Sequence, residues 1–132
     1  MGLIGRIRAA LIGEPEVLAH EMVMRYPELA RLRLRRGGLP PRVGGWALGR
    51  TTVAAITLRQ WVFLAPDALA GPPLLLHELR HVEQFEASPL FPVRYLWASL
   101  RHGYHDNPFE ADARDYSARR LRALEPSSAG DR

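Results

Sequence analysis

Between the Gly71-Pro72-Pro73 break and Pro89 the chain reads LLLHELRHVEQFEAS, which predicts a helix from about Leu74 to Ala87, stopped by the proline. Leu75, Leu79 and Val82 form one apolar stripe, with Leu76 and Phe85 as flanking bulk. Most of this helix therefore has to be buried. It also carries His77, Glu78 and His81, so any fold of this chain must bring two imidazoles and a carboxylate close to its interior and satisfy them there.

On a helix, His77 and His81 sit four residues apart on one face, where two imidazoles can close on a single metal ion while Glu78 stands beside it as a base. Zinc takes nitrogen and oxygen ligands, and a catalytic site supplies three from the protein and leaves the fourth position to water. The best third candidate is Glu110, in the segment DNPFEADAR. Asn107 caps a helix there, Pro108 begins it, and Glu110 falls at its third position. Positions 110, 113, 117, 121 and 124 share one stripe and hold Glu, Ala, Ser, Leu and Leu, so Glu110 heads an inward face. A carboxylate pointing into a core is expensive unless paired or metal-bound. The bland alternatives are a capping box for Glu110, a hydrogen-bonded pair of core imidazoles for the histidines, and an exposed charge for Glu78.

The rest of the chain bounds the setting. With 132 residues, 47% apolar and 24% charged, it is expected to form one domain over residues 1–125, followed by a disordered tail at 126–132. No apolar run approaches the roughly 20 residues of a membrane span, and Arg6 and Arg8 interrupt the N-terminal stretch, so no signal peptide and a cytoplasmic location are expected. The chain has no cysteine, so a metal must be held by His, Asp or Glu. All 18 basic residues are arginine, and residues 1–60 hold 10 of them against 4 acids. The cluster Arg31, Arg33, Arg35 and Arg36 could grip phosphates, although few aromatic residues are interleaved with it to stack on bases, and nucleic acid is an unlikely partner. The competing reading places these arginines at a solvated helix end.

Residues 3–12 and 15–35 read as helical, with Pro27 kinking the second or starting a new helix. Gly37-Gly38 and Pro40-Pro41 predict a loop, and TVAAITL and WVFL are the strand candidates, joined at Arg59-Gln60. A further helix is expected from Pro92 to His102, and a last one from Asn107-Pro108 to about Leu124.

HELRHVEQ, with NPFEADA downstream, resembles the gluzincin zinc metallopeptidases, and the short length resembles their very small members, the minigluzincins and relatives. The resemblance covers about residues 50 to 120. It implies an α+β, zincin-like domain with N-terminal helices, a short antiparallel or mixed sheet, an active-site helix and a C-terminal glutamate helix. It also implies a Zn2+-dependent peptidase acting on peptides or proteins, with His77, His81 and Glu110 as ligands and Glu78 as general base to a metal-activated water. The strand near Thr52 to Thr57, or its partner Trp61 to Leu64, would border the cleft and pair with an extended substrate. Where larger gluzincins often carry an aspartate four residues after the ligand glutamate, this chain has Arg114, so Asp106 or a backbone carbonyl is the candidate to support a histidine. Tyr104, His105 and Tyr116 are the candidates for steadying an oxyanion. A metal-binding scaffold or interaction domain of the same fold is the alternative function.

Overall fold

The computed structural model describes residues 2–47 and 53–124. Its elements are α1 (Leu3–Ile12), β1 (Glu14–Glu16), α2 (His20–Arg25), a 3-10 turn (Pro27–Arg31), β2 (Arg33–Arg36), α3 (Pro40–Ala47), β3 (Ala55–Leu58), β4 (Trp61–Leu64), α4 (Pro72–Ala87), α5 (Phe91–His102) and α6 (Pro108–Arg122). The fold is mixed α+β. Its four-stranded sheet has the order β1-β2-β4-β3, with β2 and β4 parallel and the outer pairs antiparallel.

The second half follows the sequence closely. Helix α4 begins at Pro72, where a missing N–H costs nothing because a first-turn amide has no helical partner, and ends before Ser88-Pro89. Its residues Leu75, Leu76, Leu79 and Val82 are buried, and they meet Leu29, Leu64 and Val62 in the core. Helix α6 starts at Asn107, whose Oδ1 accepts from Phe109 N at 2.9 Å. Glu110, Ala113 and Ser117 are buried along one face, and Leu121 packs against the core, whereas Leu124 ends exposed. The hairpin between β3 and β4 closes through Arg59, which takes φ 58° without being glycine.

The first half departs from the helical expectation for residues 15–35. Pro15 lies in β1, α2 stops at Arg25, Pro27 opens a 3-10 turn, and Arg33–Arg36 form a central strand. The alternation Leu32-Arg33-Leu34 is period two, and both leucines are buried while Arg33 is exposed. The Pro40-Pro41 segment, expected as a loop, instead starts α3, because proline is tolerated in a first helical turn. Of the strand segment read from Thr52, residue 52 and its neighbours 48–51 lie outside the described residues, as does the tail at 125–132.

These changes also dismantle the arginine cluster. Arg31 bonds Glu86 at 2.6 and 2.7 Å, Arg36 bonds Glu16 through Nε and Nη2, and buried Arg35 donates to the carbonyls of Ile12 and Gly13. Arg33 lies 5.5 Å from the Trp61 ring centroid. The cluster is largely consumed in joining α1, the sheet and α4. Gly13 takes φ 71° at this junction, where a Cβ would fall 2.4 Å from the Arg36 carbonyl oxygen.

Among the described residues, helices α4 and α6 share the most extensive contact between elements. Their links run in antiparallel order: Ser117 Oγ donates to Pro73 O at 2.9 Å, Arg80 pairs with Asp112 at 2.7 Å, and Gln84 Nε2 donates to Phe109 O at 3.0 Å. Helix α5 spans from one to the other, and fully buried Asn107 ties them by donating to Ser99 Oγ at 2.8 Å and Tyr95 O at 3.2 Å. Asn107→Ala removes the cap and both of these bonds, and it is expected to lower unfolding free energy by about 2–3 kcal/mol, measured by urea denaturation.

Candidate metal centre

The antiparallel packing of α4 and α6 brings Glu110 over the two histidines. Glu110 Oε2 lies 2.8 Å from His77 Nε2, and Oε1 lies 3.0 Å from His81 Nε2. Tyr95 of α5 donates to the same Oε1 at 2.6 Å. No bond from the Glu110 carboxylate to the Asn107 amide is present; that amide donates to Tyr104 O instead, so the capping-box alternative is not the one adopted. The donor atoms of His77, Glu78 and His81 also lie within 4.8 Å of one another, a grouping that could hold a metal ion.

The two carboxylates near the imidazoles are held differently. Glu78 Oε2 accepts from Thr57 Oγ1 of β3 at 2.7 Å, so this side chain is drawn toward the sheet. Glu110 touches both imidazoles. Two imidazole nitrogens with carboxylate oxygens close by are donors that could hold a metal ion.

The charge state agrees with the geometry. Burial pushes the Glu110 carboxyl upward, but the hydrogen bonds from His77, His81 and Tyr95 outweigh it and hold the group well below the usual carboxylate range. An ionised carboxylate can only accept, so both imidazoles donate to it. Burial lowers the His81 pKa, yet the bond to Glu110 and the charges of Glu78 and Glu110 raise it to about 9. The Tyr95 hydroxyl is pushed up by burial and by Glu110, and it remains a proton donor.

Behind His81 lies a layer that fixes its tautomer. Gln84 Nε2 donates to Phe109 O at 3.0 Å and to Asp112 Oδ2 at 2.9 Å, which turns Gln84 Oε1 onto His81 Nδ1 at 2.8 Å. Nδ1 therefore carries a hydrogen, and Nε2 is the nitrogen presented to the site. Arg80 closes the network on Asp112 and Glu83 at 2.7 Å each.

The other candidates from the sequence sort by position. Asp106 is exposed and does not support a histidine; Gln84 takes that role from within α4. Tyr104 lines the cleft. His105 is exposed and gives its carbonyl to Arg114, while Tyr116 lies under Arg80 and against the core, so neither lines the cleft. Thr57, Gln84, Tyr95 and Asp112 were not among the residues singled out by sequence. For Gln84 the signal was present, since a residue three positions after His81 shares its helix face.

The cleft itself has a volume of about 230 Å³ and runs past Glu78, His81 and Glu110. Its walls are mostly apolar, with Phe85, Phe91 and Leu96 on one side and Ile56 and Leu58 of β3 on the other. Among the described residues β3 has no strand partner on its outer edge.

No family model matches the chain, and no curated protein or solved structure matches it either.

Because His81 carries a proton below about pH 9 and a metal takes the neutral ring, metal uptake releases that proton. Affinity is expected to rise about tenfold per pH unit from near neutrality and to level off above pH 9, measured by competition with a chelator of known proton linkage. A pH-independent affinity would remove His81 from the ligand set. Gln84→Ala, which frees the ring tautomer, is expected to weaken metal binding about 10- to 100-fold in the same assay.

Proposed function

We propose that the chain is a zinc-dependent peptidase of the gluzincin kind, with His77, His81 and Glu110 as metal ligands and Glu78 as general base. The observation that carries this reading is the division of labour between two carboxylates. Glu110 meets both imidazoles from a separate helix, whereas Glu78, one position after His77, borders the cleft and is anchored by Thr57.

A bound zinc ion supplies two things: it acidifies a water and polarises a substrate carbonyl. The chain's own residues supply the rest. Glu78 takes the proton from the attacking water and returns it to the departing amine. Thr57 holds one oxygen of Glu78, so the base meets the water in a single orientation. Tyr95 keeps its proton and steadies Glu110. To Tyr104, the other phenol on the cleft wall, we assign donation to the charge that develops on the substrate oxygen. An extended peptide pairs with the outer edge of β3, and Phe85, Phe91 and Leu96 receive an apolar side chain.

The competing reading is a metal-holding scaffold without turnover. An accessible cleft of about 230 Å³ directly beside Glu78 favours the peptidase, since a scaffold has no need of space at its base.

Elemental analysis and hydrolysis of a mixed peptide library test the two readings together. Glu78→Gln is expected to retain zinc while turnover falls at least about 100-fold. His77→Ala, His81→Ala and Glu110→Ala are each expected to lose zinc, and full occupancy in any one strikes that residue from the ligands. Stoichiometric zinc in the parent chain with no cleavage of any library member selects the scaffold.

A further inference from the structure

Helix α5 reaches the cleft with one face and leaves another bare. Phe91 and Ala98 are buried, but Val93, Leu96, Trp97 and Leu100 are 65%, 53%, 64% and 84% exposed. At 100° per residue these four fall within an arc of roughly 100°. Arg94 and Arg101 lie along one margin of the arc, both exposed, and His102 and His105 follow. No acidic residue occurs from Phe91 to His105. A helix with this order, apolar face and cationic margin with tryptophan between, matches the interfacial helices that lie in the headgroup plane of a bilayer. It is too short to cross one.

Helix α1 repeats the pattern independently. Leu3, Ile4, Ile7 and Leu11 are exposed on one side, Arg6 and Arg8 flank them, and the helix contains no acid and no buried residue. Two bare apolar faces that both carry arginine repel one another, so neither suits the other in a second copy of the chain. Their shared complement is apolar within and negative at its surface.

We propose that the exposed face of α5 docks on an anionic lipid bilayer. Trp97 and Leu100 enter the boundary between headgroups and acyl chains, and Arg94 and Arg101 pair with lipid phosphates. Leu96 belongs both to this face and to the cleft wall, so docking sets the cleft mouth against the membrane surface. The proposal goes beyond the peptidase reading and stands whether or not the site turns over.

Sedimentation of the full chain at low salt tests it, with vesicles of phosphatidylcholine alone or mixed with phosphatidylglycerol. The chain is expected to sediment with the mixed vesicles and to remain in solution with the neutral ones. Arg101→Gln is expected to weaken binding about fivefold and Leu100→Glu at least about tenfold. Both positions are exposed, so the circular dichroism and thermal melt of the variants stay those of the parent. Tryptophan emission shifts to the blue on adding mixed vesicles, and Trp97→Phe loses that shift. The proposal is overturned by absence of sedimentation, by equal sedimentation with neutral vesicles, or by binding that Leu100→Glu leaves unchanged. A concentration-dependent dimer that Leu100→Glu dissolves, without vesicle binding, overturns it in favour of a second copy as occupant.

Discussion

The carboxylate of Glu110 is the constraint around which the helical half of the molecule is arranged. An ionised group out of water is costly unless its oxygens are met, and here they are met by two imidazoles and a phenol from α4 and α5. That requirement sets the spacing and antiparallel order of α4 and α6. Asn107 bonds the Tyr95 carbonyl of α5, and the Tyr95 hydroxyl arrives at the same Glu110 oxygen as His81.

The candidate metal centre thus shares its supporting residues with the fold itself. Asp112 receives both Gln84 and Arg80, and Gln84 in turn sets the hydrogen on His81. The links that hold α4 to α6 are therefore the links that aim His81. The cluster is held together within the protein itself, since His81 answers the charge of Glu110.

The elements legible in the sequence were those marked locally. Pro72 and Pro89 bound α4, Asn107-Pro108 opens α6, and the 110-113-117 stripe placed Glu110 inward before any partner was known. Strands β1 and β2 were hidden because three or four residues leave little periodicity, and because four arginines in Arg31–Arg36 look like solvated surface when their partners are far along the chain. Arg31 finds Glu86, 55 positions away, and no local pattern records that. Tyr95 and Thr57 were missed for the same reason, since each acts at the site only through tertiary packing. Asp112 lies off the 110-113-117 stripe, and its side chain reaches Arg80 and Gln84 on the flank of α4.

The bond from Thr57 to Glu78 joins the outermost strand of the sheet to the residue beside the metal ligands. Thr57 alternates with Ile56 and Leu58, whose side chains form one wall of the cleft. A chain segment added at this edge would meet a strand tied by one hydroxyl to Glu78. The open strand edge and the mount of the carboxylate thus belong to the same four residues.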